Sequence, residues 1–483
     1  MKLEHIAEQE QVAKEVIRWL QVIIQDIEVA YTTRSQRMRT AALNRAISAL
    51  SAPPLDFTSL PPIGQLLTKQ IIERYREVVT SEAGRAGKLE ILTEVVSPYL
   101  FDVPVRGQGL VGREDLFRQI ITLWSVPHQR NSLLIYGHRR MGKTSLAQAI
   151  ESRCQFGQDT KLVYYSLDSS IKHEGRLYYN IAERLWLRVQ DRMTEPQANQ
   201  FTPVRARNAL TRFLTNFHQV AKEERVILVL DEFELLHKYI GITATYEAIE
   251  YLRTLTQNLS FDWLTLALVG LHDLDDLGHS YGNALLGWAA LHVSFLTPTQ
   301  VATVLANPFN NPDFPLDYTP EALALIAKFT HGQPYLVQII GHLLVQHYNY
   351  VVFTQQREHT GIFGVPDVQT VIDHPEFYKT AAAYFQGVWG QVTKEKSGEI
   401  ELLKALANHE EGLSVTELKK TAQLDDSTFG RACSMLERHD ILYSAEDRVL
   451  YTVPLMQHWV KNQCQPATNS ITTVAKKRRE ARK

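Results

Sequence analysis

Residues 133–145 read Leu-Leu-Ile-Tyr-Gly-His-Arg-Arg-Met-Gly-Lys-Thr-Ser, an apolar run that ends in a glycine-bounded loop and a Lys-Thr pair. The spacing is G-x-x-x-x-G-K-[ST], with Gly137, Gly142, Lys143 and Thr144 at its fixed positions. It demands a buried strand, a tight turn and a helix in immediate succession. The chemistry explains the residue types. A triphosphate concentrates negative charge that only bare backbone approaches from all sides, and glycine removes the obstructing Cβ. The N–H groups from His138 through Arg139, Arg140, Met141 and Gly142 to Lys143, Thr144 and Ser145 would converge as an anion nest. Lys143 would add a mobile cation for the β- and γ-phosphates, and Thr144 a hydroxyl for Mg²⁺. Leu133–Tyr136 fits the strand, and Thr144–Ser152 fits a helix whose N-terminus faces the phosphates.

A second constellation follows. Arg225–Leu230 (Arg-Val-Ile-Leu-Val-Leu) is a buried-strand pattern that ends in Asp231-Glu232. Two carboxylates there lie at the carboxyl edge of a sheet, where ligands of open α/β folds sit. Asp231 is expected to hold Mg²⁺, directly or through water, and Glu232 to take a proton from an attacking water or orient it. Lys161–Leu167 and Trp263–Leu271 supply two further strand patterns, with helical stretches between them. That alternation predicts a parallel sheet covered by helices on both faces. Gly278-His279-Ser280-Tyr281-Gly282 fits the G-x-S-x-G elbow of serine hydrolases, but the Asp-rich segment 273–277 precedes it where that elbow needs a strand.

Around this centre the 483 residues divide into five expected segments. Residues 1–100 read as an all-α region, with Ala13, Val16, Ile17, Leu20, Ile23, Ile24 and Ile27 repeating at helical steps. Pro53, Pro54, Pro61 and Pro62 interrupt the pattern before Ile63–Thr80 resumes it. Residues 101–295 form the nucleotide domain, and 296–395 a helical lid and linker with an irregular portion around Gly361–Pro366. Residues 396–465 carry helices at Glu399–Ala407, after the capping box Ser414-Val-Thr-Glu417, and at Ser427–His439. Strand-like pairs at Ile441–Ser444 and Arg448–Val453 complete a winged helix-turn-helix. Its third helix balances Arg431 and Arg438 against Asp425, Asp426, Glu437 and Asp440, which favours protein packing over duplex binding. Residues 466–483 are a basic tail.

Bulk properties exclude little else. A formal net charge of −2 calls for neither nucleic acid nor membrane, and no apolar run is long enough to span a bilayer. Cys154, Cys433 and Cys464 are scattered without metal or disulfide spacing. The N-terminus lacks the apolar core of a signal peptide, so a cytoplasmic protein is expected.

Taken in order, these motifs resemble the STAND class of P-loop ATPases, near the AAA+ origin-recognition and archaeal ATPase families. Val111-Gly112-Arg113-Glu114 looks like the family's entry box, Gly137–Leu146 like its phosphate loop, and Leu230–Leu235 like its acidic motif. Leu252–Leu255 and Leu268–Gly270 resemble the approach to its sensor strand, and Gly332-Gln333-Pro334 the turn that closes the lid. The resemblance implies ATP and ADP as the nucleotides, bound by Val111, Gly112, Arg113, the loop and Pro334, with Arg113 near adenine and ribose. It implies slow, Mg²⁺-dependent hydrolysis and a switch that forms homo-oligomers in the ATP state. An unidentified protein partner would engage residues 1–100. A DNA-loading AAA+ protein using the winged helix and basic tail is the alternative, and a non-hydrolysing scaffold a third. No Arg or Asn stands at the sensing position after Gly270, so His272 becomes the substitute, and Arg253 is the candidate trans-acting arginine.

Overall fold

The computed structural model describes residues 2–32, 36–51, 57, 60–87, 93–105, 110–125, 131–154, 156, 160–221, 225–270, 285, 287–311, 314–392 and 398–464. His272, the motif at 278–282 and the tail from 466 lie outside these residues. By its contacts the chain forms two units. One comprises Met1–Pro98, Ala302–Leu323 and Gly341–Val371. The other comprises Tyr99–Val301, Ala324–Ile340 and Ile372–Lys483.

The first unit opens with three helices, α1 (Lys2–Thr32), α2 (Gln36–Ser51) and α3 (Pro62–Gly87). α2 packs against both neighbours. The apolar stripe of α1 is split between two faces. Val16, Ile23 and Ala30, at seven-residue spacing, are buried, the last two with Ala42, Ala46 and Leu50 of α2. Ile17, Ile24 and Tyr31, one position further round, are exposed, as are Ile63, Leu67 and Ile71 of α3. Among the described residues, no helix is long and apolar enough to cross a membrane.

The second unit holds a five-stranded sheet. After α4 (Glu114–Trp124) come β1 (Leu133–Tyr136), α5 (Lys143–Arg153), β2 (Thr160–Ser166), α6 (Glu174–Trp186), α7 (Ala206–Ala221) and β3 (Arg225–Asp231). Then follow α8 (Leu236–Ile240), α9 (Ile242–Gln257), β4 (Leu264–Val269) and β5 (Ala289–His292). The strand order is β2-β3-β4-β1-β5, and each neighbouring pair is parallel. Successive side chains of a strand point to opposite faces, and the two cores record that alternation. Leu134, Leu228, Leu230, Leu266 and Leu268 pack with Leu177, Leu210, Phe217 and Leu252 of α6, α7 and α9. Leu133, Ile135, Ile227, Val229 and Val269 pack on the other face with Ile120, Leu146 and Ile150 of α4 and α5. Both faces being covered, the middles of the central strands are mostly apolar, as in parallel strands of such sheets.

The chain continues through α10 (Pro298–Ala306), β6 (Asp317–Tyr318), α11 (Pro320–Thr330), α12 (Pro334–Asn349), β7 (Ile362–Phe363), α13 (Val365–Asp373), α14 (Pro375–Thr380) and α15 (Ala382–Val392). The stretch expected to be irregular around Gly361 contains β7, which pairs in parallel with β6. The last elements are α16 (Glu399–Leu406), β8 (Leu413–Ser414), α17 (Val415–Ala422), α18 (Asp426–Arg438), β9 (Leu442–Ala445), β10 (Arg448–Tyr451) and α19 (Pro454–Cys464). Ser414 and Glu417 form the reciprocal capping box at the start of α17. β10 pairs antiparallel with β8 and β9, closing a three-stranded sheet over Leu403, Leu418 and Leu436.

The split stripe of α1 is testable with two adjacent residues of like size. Ile23→Ala should cost about 2–5 kcal/mol, as deletions of buried isoleucine do. Ile24→Ala should cost less than about 1 kcal/mol. The midpoint of the helical circular-dichroism signal of the full chain under denaturant separates the two.

Candidate nucleotide site

The site is built at the carboxyl ends of β1 and β3, with β4 between them. β1 runs out at Tyr136 and the chain turns at Gly137, φ 145°. There the end of β5 crosses the loop. Val293 N–H donates to Tyr136 O, and a Cβ on Gly137 would stand 2.2 Å from Val293 O. Gly142, the second fixed glycine, has φ 90° and a different reason for its identity. A Cβ there would meet nothing within 4 Å, so its backbone conformation alone favours glycine, and the space before it is open. It is the N-cap of α5, whose start has no side-chain cap. The first N–H groups of a helix have no intrahelical acceptor, so they face that open space with the positive end of the helix dipole.

Four carbonyls of the loop are held by side chains. Lys143 Nζ donates to Gly137 O at 2.6 Å and His138 O at 2.9 Å. Gln333 Nε2 donates to Arg140 O at 3.2 Å, and Arg113 Nη2 to Met141 O at 3.0 Å. The same Arg113 nitrogen donates to Ser294 O at 2.7 Å. Burial holds the Arg113 guanidinium down to about 10, with Asp115 opposing. Arg140 is a non-glycine residue at φ 61°, and its guanidinium stacks 4.1 Å over the Tyr335 ring. His138 pairs through Nε2 with Asp440 Oδ2 at 3.0 Å, and its ring lies 6.1 Å from that of His439. Ser145 is buried, and its hydroxyl accepts from Val105 N–H at 3.0 Å.

Opposite the loop, β3 delivers Asp231, which is 2% exposed. Its Oδ1 accepts from Glu232 N–H at 2.8 Å and its Oδ2 from the Tyr164 hydroxyl at 2.6 Å. Burial and the Asp231 carboxylate push the Tyr164 hydroxyl well above its usual range, so it stays a donor. Glu232 turns through φ 58°. Its burial, then Glu234 and Asp231, raise its carboxyl above the ordinary value, while Lys143 and Arg139 pull it down. Burial lowers Lys143, and Glu234, Glu232 and Asp231 counter it in that order.

The expected residues are thus brought to one sheet edge, but with differing surroundings. Val111 and Arg113 are buried, Gly112 turns at φ 78°, and Pro334 opens α12. One Arg113 nitrogen reaches the carbonyls of Met141 and Ser294, and the Ser145 hydroxyl accepts from Val105 N–H. Arg253 is tied to Glu250 on its own helix at 2.6 Å. Sequence reasoning gave no site role to Tyr164, Glu234, Gln333 or Asp440, although Glu234 lies in the acidic motif Leu230–Leu235 and Gln333 in the turn Gly332-Gln333-Pro334 that resembles the lid turn.

The donor set fits a nucleoside di- or triphosphate. The open N-terminus of α5, its uncapped amides and the half-buried Lys143 provide an anion site, and the carboxylates face it. Among the described residues no group of three or more acidic, His or Cys side chains is placed to hold a metal. Mg²⁺ does not require one, since it keeps waters and takes one or two carboxylates plus phosphate oxygens. A carboxylate oxygen has two lone pairs, so Asp231 retains acceptor capacity beside its two hydrogen bonds.

The two glycines should respond differently. Gly137→Ala should destabilise the unit by several kcal/mol, because the obstacle is backbone and cannot turn aside. Gly142→Ala should cost about 1–2 kcal/mol of left-handed strain alone. Denaturation midpoints of the two full-length variants check this.

Residues 109–266 match the family model of the AAA ATPase domain. No curated protein matches the chain. Among solved structures, the Walker-type ATPase PABY2304 of Pyrococcus abyssi superposes with a TM-score of 0.54 at 13% identity, covering 75% of this chain and 99% of that one. The Aeropyrum pernix ORC2 protein, solved as ADPNP-ADP complexes, gives 0.53 at 12% identity, covering 75% and 95%. At such identities the likeness is one of fold. The chain is thus similar to the AAA ATPase domain over residues 109–266, and its fold is that of P-loop NTPases.

Proposed function

We propose that the chain is an ATP-dependent switch of the STAND type, which binds ATP and ADP with Mg²⁺ and hydrolyses ATP slowly. The C-terminal module, read as a winged helix, would hold the ADP state closed, and ATP would release it for homo-oligomer assembly. The observation that carries this reading is the His138–Asp440 pair. A residue of the phosphate loop is bound by a carboxylate from the module that would move.

The charge logic follows from that pair. Phosphates entering the loop bring negative charge toward the Asp440 carboxylate, and a triphosphate brings more than a diphosphate. Like charges at short range in a poorly solvated site repel. The closed arrangement would therefore tolerate ADP better than ATP. A ligand shifts a conformational equilibrium only through such a difference in affinity. Lys143, now on the carbonyls of Gly137 and His138, would turn to the β- and γ-phosphates. Mg²⁺, held through Thr144 and Asp231, would neutralise charge on the transferring phosphoryl group. Glu232 would accept the proton of the attacking water. Its raised carboxyl suits it to that role, because a base works best with a value near the working pH. The exposed apolar faces of α1 and α3 offer a surface for the unidentified protein partner.

Lys143→Ala should abolish nucleotide binding, and Glu232→Gln should bind ATP without turnover, by equilibrium binding and phosphate release. Normal hydrolysis by Glu232→Gln would remove that residue from the role. In the wild type, hydrolysis should fall on the acid side through a limb lying above the ordinary glutamate range, since protonated Glu232 cannot accept a proton. Light scattering tests the switch itself. Asp440→Asn should assemble with ADP, where the wild type stays small, and a growth response only to added duplex would move the reading to a DNA loader.

A further inference from the structure

The phosphate loop contains a residue whose conformation local sequence does not explain. Arg140 occupies left-handed backbone at φ 61° without being glycine. Such a residue persists only where its surroundings over-determine it. Two contacts do so here. Gln333, fully buried, donates to the Arg140 carbonyl, and the Tyr335 ring lies under the Arg140 guanidinium. The next carbonyl, that of Met141, is taken by Arg113. Arg113 is 6% exposed, and its hydrogen-bond acceptors are carbonyl oxygens. Burying a cation is costly unless it makes strong hydrogen bonds, so its placement behind the loop calls for a reason.

We propose that Arg113 and Gln333 are positioning residues that aim the anion nest of the phosphate loop. In a trans peptide the C=O and N–H point in opposite directions. Fixing the Arg140 carbonyl on Gln333 turns the Met141 N–H the other way, and fixing the Met141 carbonyl on Arg113 turns the Gly142 N–H likewise. Two consecutive donors are thus set by their carbonyls before any phosphate arrives. Preorganised donors of this kind cost nothing to orient when the anion binds. Gln333 also links the loop to α12, because its Oε1 accepts from Leu336 N–H at 2.8 Å. A shift of the α12 N-terminus away from the loop must break this bridge and release the Arg140 carbonyl. Arg113 does the same for the segment after β5 through Ser294. The assignment differs from a role for Arg113 at adenine and ribose, and it rests on the nucleotide reading of the site.

Inorganic tripolyphosphate separates the two roles, since it carries the phosphates without a base or ribose. The variants are Arg113→Met, which keeps the aliphatic stem but no donor, and Gln333→Glu. The latter retains an acceptor for Leu336 N–H yet has no N–H for Arg140. Binding of ATP and of tripolyphosphate, each with Mg²⁺, is measured by calorimetry on the full chain. Melting temperature and near-ultraviolet circular dichroism verify the fold. Both variants should lose affinity for both ligands by the same factor, on the order of tenfold, and Arg113→Lys should regain part of it. Loss for ATP with unchanged tripolyphosphate binding would overturn the proposal for Arg113 and return it to the base. Unchanged binding of both ligands by folded Gln333→Glu would overturn it for Gln333. If the wild type bound neither ligand, or Lys143→Ala bound both normally, the nucleotide reading itself would fail.

Discussion

The carbonyl oxygen of Val293 stands where a side chain on Gly137 would begin, and much of the second unit depends on that close approach. It fixes the point at which β1 becomes the phosphate loop. It also brings the exit of β5 near enough for Arg113 to bridge Ser294 and Met141 with one nitrogen. From the same exit, Leu296 N–H reaches Gly332 O, one residue before Gln333. The loop is consequently gripped at its base by backbone packing and at its apex by side-chain donors. Its base has no alternative position, whereas its apex is held by hydrogen bonds that can exchange.

How much of this was legible in the sequence depended on whether the cause was local. The phosphate loop, the strand behind Asp231 and the helix–strand alternation all announce themselves through spacing and continuous apolar runs, and the strands lie within a residue or two of expectation. β5 did not. Ala-Ala-Leu-His is too short and too poor in β-branched residues to read as a strand; it forms because β1 has an edge to pair with, and its register is marked by the stacked Tyr136 and His292 rings. The stripe on α1 was legible as helix but not as two faces, since periodicity cannot say which of Ile23 and Ile24 meets α2. Tyr164 and Asp440 owe their places at the site to tertiary geometry alone, and Gln333 lies in a turn found only through resemblance. Arg113 was found through resemblance, and its hydrogen bonds go to the carbonyls of Met141 and Ser294.

The acid cluster shows how one strand end is made to carry groups in different electrostatic situations. Asp231 is sunk to 2% exposure and receives a backbone N–H and a tyrosine hydroxyl. Glu232, one residue on, leaves the strand in left-handed backbone and is pushed upward by burial and its acidic neighbours. Glu234 faces Lys143 most strongly of the three. Desolvation opposes the charged form of a carboxylate, and at Glu232 it acts together with the neighbouring acids.

The position of β4 has a consequence for the size of the cleft. Because it runs between β1 and β3, the loop and the acids are separated by two inter-strand steps, about 10 Å. Acids on the neighbouring strand would lie close enough to collapse onto the lysine as a direct ion pair. One strand further away, they stand off from the loop by that spacing. Side-chain substitution can alter what lies across it, but the spacing itself is written in the backbone.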